Sequence, residues 1–386
     1  MPDSTPSPAS FRLAATAGCA AAFAYCVFLG ELLARGAWIR DSSGHPIVTD
    51  FLPVYVAGIL ARRADAATAY DWQRFHAAQT AFVGHGFTGF LGWHYPPLFF
   101  LVAMGLTLAG YLPAFLAWVG VTMAGFAATV AAIGRDRGAV WMALSMPPTL
   151  ACALVGQNGF FSAALFGGML LCLPRRPLLA GALLAALTFK PQFGLLIPFA
   201  LIAGGYYRPL FIAALLTIAW IGIALWLSPA AFAGFLHYLP QTSHAVLTDG
   251  TAGWEKLQSS YAAARLMGLG DTLGWGVQIA TAVAAGVFCV WLWRQKQTSF
   301  ALKAAALACG ALLATPYVYF YDLPILALPL AFLFRDSAID RSEQAGIAVI
   351  FGLLGSALIL PLPMGLPAIL VTAGMVVRRA LVSLRA

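Results

Sequence analysis

The sequence predicts an all-α polytopic membrane protein with about twelve transmembrane helices and interfacial helices in its first outer loop. Three observations carry this. Of 386 residues, 61% are apolar and 9% charged, against roughly 45–50% and about 25% in soluble domains. A single soluble core stops growing at about 250–300 residues and cannot hide that excess. The apolar residues come in long runs separated by brief basic gaps, and the charges sort by sign once those gaps share one side of a membrane. Such a composition excludes an ordinary cytosolic enzyme, a disordered chain and a nucleic-acid-binding domain. Residues 1–386 read as one integral membrane domain.

Residues 1–10, with three prolines and three serines, predict a short disordered lead. Residues 11–33 are the first long apolar run, with Arg12 at its start and Arg35 after its end. At about 1.5 Å per residue this run crosses a hydrocarbon core of about 30 Å. No small-residue cleavage site follows, so it reads as a retained helix rather than a signal peptide. Residues 35–96 form a first outer loop, too polar to span and too apolar to be disordered. Within it, 51–63 and 72–82 have helical apolar spacing with polar ends and predict helices lying on the membrane surface.

Further apolar segments fall at 97–110, 113–133, 139–155, 158–173, 178–189, 191–204, 209–227, 272–293, 300–316, 322–334, 345–360 and 364–377, with a second outer loop at 228–271. Placing the basic gaps and both termini inside requires that one segment not cross. The choice is 97–110, which is short and ends in Gly110-Tyr111-Leu112-Pro113, a re-entrant or interfacial piece. The inner side then holds 14 basic and five acidic residues, the outer side eight and nine. The net charge of +8 therefore reports orientation and not a polyanionic partner. All six histidines lie in the two outer loops, with Asp50, Asp65, Asp71, Asp249 and Glu255. The six cysteines sit in apolar runs without a CxxC pair and read as buried thiols.

Several polar residues stand out against this background. Asp50 precedes a helix, which it could cap or beside which it could serve as a general base. Trp93-His94-Tyr95-Pro96-Pro97 is either a rigid helix entry or a site wall that uses His94 and Tyr95. In Gly156-Gln157-Asn158-Gly159 a turn accounts for Asn158 and Gly159 but less well for Gln157. Lys190-Pro191-Gln192 interrupts an apolar stretch with no acid nearby in sequence. A charge at such depth is costly and points to function, with phosphate its natural partner; the alternative is a lysine snorkelling to the interface. Gln258-Ser259-Ser260-Tyr261 leads to Arg265, either a solvated helix face or a second phosphate contact. The run Thr315-Pro316-Tyr317-Val318-Tyr319-Phe320-Tyr321-Asp322 is an aromatic belt with a helix cap, or the lining of a sugar site. Phosphate-binding loops, a G-x-G-x-x-G at a strand–helix junction, acidic D-x-D pairs and metal-binding histidine spacings are absent from the sequence, so a metal-independent protein without a cofactor is expected.

In order and spacing, these residues resemble glycosyltransferase family 87, the polyprenol-phosphate-mannose-dependent type of the GT-C superfamily. The resemblance runs over about residues 45 to 335. It rests on Asp50 with Tyr55-Val56-Ala57-Gly58, Tyr70-Asp71, Tyr95-Pro96-Pro97, Gly156-Gln157-Asn158-Gly159, Arg175-Arg176-Pro177, Lys190-Pro191-Gln192, and Thr315-Pro316-Tyr317 with Tyr321-Asp322. It implies a GT-C-like fold in a bacterial inner (plasma) membrane, with its site facing the periplasm or exterior. A hexose, mannose-like or another sugar, would pass from a polyprenyl-phosphate donor to a lipid or glycan acceptor with inversion. Membrane lipids would be its other partners, and nucleic acid would not be one. Asp50 matches the catalytic acid of the first outer loop. Lys190 and Gln192 match a donor-side motif, with Arg265 as a further phosphate ligand. Tyr55, His94, Tyr95, Gln157, Asn158, Tyr321 and Asp322 would line the substrate site. Some members carry a histidine near the late motif, where this chain has Tyr321-Asp322. The rival class is a secondary transporter of a lipid-linked or anionic substrate, which also uses broken helices; the internal repeat it predicts is not seen.

Overall fold

The computed structural model describes residues 8–89 and 91–385. Of the expected disordered lead, residues 1–7 lie outside the described residues, and from Pro8 the chain is helical. Helix α1 (Pro8–Ala34) leads to a feature absent from the sequence reading, an antiparallel ribbon of β1 (Ala37–Trp38) and β2 (Arg40–Asp41). It turns at Ile39, whose φ is +62°. Asp41 stabilises the turn that follows, accepting from the backbone N–H of Ser43 at 2.9 Å and of His45 at 2.8 Å.

The two expected loop helices form as α2 (Leu52–Arg62) and α3 (Trp72–Val83), the latter capped by Asp71 through the Arg74 N–H. Helix α3 buries only Phe75, Gln79 and Val83 along one face. Helix α2 buries Leu52 through Gly58 and Leu60 and packs on α4 (Phe100–Leu106), so its apolar face meets protein. The segment expected not to cross is a helix only over Pro97–Leu106. At about 1.5 Å per residue it reaches roughly half of a 30 Å core.

Then come α5 (Tyr111–Gly134), α6 (Arg137–Ser145), α7 (Pro147–Val155), α8 (Gly159–Cys172), α9 (Pro177–Leu187), α10 (Ile197–Ala203) and α11 (Tyr207–Leu227). Pro147 forces Met146 into an extended conformation, and α6 and α7 meet at 61°. The second long loop contains α12 (Pro229–Ser243) and α13 (Ser260–Leu266). The chain closes with α14 (Asp271–Arg294), α15 (Phe300–Ala314), α16 (Ala327–Asp336), α17 (Arg341–Ser356) and α18 (Gly365–Arg385). Alanine-rich α15 is buried along almost its whole length and packs against α14, α16 and α18. Small side chains permit that close approach.

Among the described residues five helices, α1, α5, α11, α14 and α18, are long and apolar enough to cross a membrane, or six if the bent α6–α7 pair is one span; the other apolar helices have 10–17 residues. The protein is a helical, polytopic membrane protein. Among the described residues, every ion pair joins charges that the sequence reading put on the same side. One polar end holds Lys190–Asp322 and Arg265–Asp271. The opposite end holds Arg378–Asp340 and the buried Arg379, which grips Glu343 at 2.5 and 2.6 Å and the Leu333 carbonyl at 2.7 Å.

Candidate active site

Asp50 lies in the short link before α2. The N-cap position there is Phe51, without a side-chain cap bond, and the Leu52 N–H is bound by the Thr49 carbonyl at 3.0 Å. The carboxylate therefore does not cap the helix. It accepts instead from Gln157 Nε2 at 3.4 Å. Burial pushes its pKa up. The Gln157 hydrogen bond and the charges of Lys256 and Lys190 oppose that rise, while Asp322 adds to it.

Gln157 follows Gly156, which ends α7 with φ +68°, where a side chain would also meet the Phe115 ring at 2.6 Å. The turn is pinned by Trp118 Nε1 donating to the Gly156 carbonyl at 3.1 Å. Gln157 Oε1 accepts from the Asn158 N–H at 3.1 Å and from the Tyr95 hydroxyl at 3.4 Å, and Asn158 Nδ2 donates to that hydroxyl at 2.7 Å. Tyr95 is buried among Trp93, Phe99 and Phe189. Its neighbour His94 is exposed at the surface, with protein packed around its ring. Desolvation pushes its pKa down to about 4.

The anion that Lys190 requires is supplied by this chain. Lys190 Nζ donates to Asp322 Oδ1 at 2.6 Å, with Lys190 6% and Asp322 1% exposed. Asp322 is at once partner and cap, since its Oδ2 accepts from the Tyr319 N–H at 3.2 Å. The ammonium also lies 5.4 Å from the centre of the Tyr321 ring, and Tyr321 stacks on Tyr319 with centroids 5.1 Å apart and planes 6° from parallel. The two halves touch at Gly159, where a Cβ would fall 1.9 Å from the Tyr321 carbonyl oxygen. Gly159 is thus more than a turn residue, because only glycine lets α8 begin there.

The structure therefore joins Asp50, Tyr95, Gln157, Asn158, Lys190, Tyr321 and Asp322. Gln192 is half-buried in the turn Pro191–Gly194 next to Lys190. Tyr55 stands apart, its hydroxyl donating to the Ala109 carbonyl at 2.8 Å and its ring packed on Phe51, Phe82 and Tyr111. Arg265 is committed elsewhere. It pairs with Asp271 at 3.3 Å, donates to the Thr248 carbonyl at 3.2 Å and lies 4.4 Å from the Trp254 ring. Within the preceding Gln258-Ser259-Ser260-Tyr261 run, Ser259 caps α13 and Ser260 donates to Gln278. Lys256, whose charge acts on Asp50, was not singled out from the sequence. Its one signal there is being the only lysine of the 228–271 loop. Among the described residues no group of three His, Cys, Asp or Glu could hold a metal ion.

No curated protein and no solved structure matches the chain. The model of glycosyltransferase family 87 matches residues 93–316, a stretch that contains Tyr95, Gln157, Asn158, Lys190 and Lys256.

Proposed function

The chain belongs to glycosyltransferase family 87 and is a membrane glycosyltransferase; from that premise we propose that it moves a sugar, a hexose of mannose type, from a polyprenyl phosphate to a lipid or glycan acceptor, with Asp50 as general base. The observation that carries this reading is the placement of Asp50. Its carboxylate is free of the helix it precedes, is oriented by Gln157, and feels the charges of Lys256, Lys190 and Asp322. The acceptor hydroxyl gives its proton to Asp50 as its oxygen bonds to the anomeric carbon. The bond from that carbon to the phosphate oxygen breaks, and its electron pair leaves with the polyprenyl phosphate. One displacement inverts the centre. Lys190 and Gln192 contribute to the field at the donor side.

Other features support the same reading. Asn158 Oδ1 is buried and has no hydrogen-bond partner among the described residues, leaving an acceptor for a sugar hydroxyl. The Tyr319–Tyr321 stack offers an aromatic face to a sugar ring. An apolar groove of about 600 Å³ between α10 and α14, lined by Leu195, Phe199, Val283, Val287 and Trp291, opens just beyond the Lys190-Pro191 break and suits an isoprenoid tail. Twelve crossings, with the site on the non-cytoplasmic face of an inner membrane, fit the two polar ends and their unmixed ion pairs.

The test is transfer of radiolabelled sugar from polyprenyl-phosphate donors in membranes holding the wild type or Asp50→Ala. Loss of transfer in the variant is expected. Transfer that survives Asp50→Ala unchanged removes Asp50 from the mechanism.

A further inference from the structure

The charges around the site balance unevenly. Lys190 has Asp322 at 2.6 Å, and Arg265 has Asp271 at 3.3 Å. At the distance of a bound phosphate each pair is close to neutral. Lys256 is exposed, and its ammonium makes no ion pair or hydrogen bond among the described residues. Its position is nonetheless fixed. Leu257 forms an antiparallel bridge with Tyr319, and the Gln258 N–H donates to the Val318 carbonyl at 2.6 Å. Gln258 Oε1 accepts from the Gly365 N–H at 2.7 Å. On the other side, Trp254 donates to the Leu247 carbonyl at 2.7 Å and stacks on the Arg265 guanidinium. Leu257 is completely buried. Lys256 ends the short 3-10 turn Trp254–Lys256, and its side chain is exposed instead of joining Leu257 in that core. The residue after it, Leu257, bridges to Tyr319, whose ring stacks on the Tyr321 ring that Lys190 lies over.

We propose that Lys256 is the residue that contacts the donor's phosphate and takes up the charge developing there as the sugar leaves. This rests on the reading above that the donor is a polyprenyl-phosphate sugar. In the reaction the acceptor proton goes to Asp50, the acceptor oxygen bonds to the anomeric carbon, and the phosphodiester monoanion departs as a phosphomonoester bearing one more negative charge. That added charge needs a cation not already cancelled by a carboxylate. Lys256 meets this condition, and its pull on Asp50 places it within electrostatic reach of the base. On this assignment Arg265 is a positioning residue. It holds Trp254, and through Trp254 the Lys256 segment, without touching substrate.

The experiment measures donor KM and kcat in reconstituted full-length enzyme, together with inhibition by polyprenyl phosphate lacking a sugar. Lys256→Gln should raise both the donor KM and the inhibition constant about tenfold. Lys256→Arg should restore both to within about threefold, because the charge is kept. Lys296→Gln, an exposed lysine at the opposite end, should leave both unchanged. A wild type that transfers sugar while Lys256→Gln keeps the wild-type KM overturns the assignment alone, as does Lys256→Arg as impaired as Lys256→Gln. A wild type inert toward every polyprenyl-phosphate sugar overturns the donor reading and the assignment with it.

Discussion

Replacing Lys190 by methionine tests whether the site is built around its buried ion pair. At the 2.6 Å separation of Nζ and Oδ1 the attraction is about 6 kcal/mol in an effective dielectric of about 20. Much of it offsets the cost of taking both charges out of water. Removing one partner leaves that cost without the attraction, and Lys190→Met should lose about 3–5 kcal/mol. In Lys190→Met with Asp322→Asn the stranded charge is gone, and asparagine can still accept from the Tyr319 N–H that Asp322 Oδ2 binds. That double variant should lie within about 1–2 kcal/mol of wild type, well short of the summed cost of the two single variants. The assay is the unfolding midpoint in mixed micelles of rising SDS fraction, across the four corners of the cycle. Additive costs, with the double variant as unstable as the two singles together, would refute the reasoning.

The acid limb of the pH–rate profile should lie above the usual carboxylate range, because burial raises the pKa of Asp50, and no second limb should appear near about 6.5, since His94 is neutral above about 4. The same raised pKa makes the folded state prefer protonated Asp50, a contribution lost as pH rises through that pKa; Asp50→Asn should therefore unfold at a higher SDS fraction at neutral pH while losing transfer. Gly159→Ala should cost about 3 kcal/mol or more, since its Cβ would sit 1.9 Å from a backbone oxygen, and a wild-type midpoint would show that this contact yields. With native cysteines replaced, His45→Cys, exposed after the ribbon, should react with an impermeant thiol reagent in intact cells, whereas labelling only after lysis would reverse the orientation.

Much of the architecture was legible because charge and apolar length are local properties. The helix starts near Leu52, Trp72, Tyr111 and Tyr207 and the break at Pro191 follow from runs and prolines. What covers a face is not local. The apolar pattern of α2 is the same whether it meets lipid or α4, and it meets α4. The need of Lys190 for an anion could be read from the sequence, yet Asp322 lies 132 residues away. That Asp50 does not cap α2 turned on one backbone bond from Leu52 to Thr49. Lys256 belongs to no motif, and only the pairing of Leu257 with Tyr319 gives it a place.

The contact of Gly159 with the Tyr321 carbonyl acts as a mechanical stop. The turn that orients Asp50 and the turn that holds Asp322 bear on each other with no side chain as cushion. Neither can swing outward to admit a substrate without carrying the other. The segment from Thr248 to Gln258 is tied to the same Tyr319 edge. A substrate would then come and go past a carboxylate and an ion pair that keep their spacing.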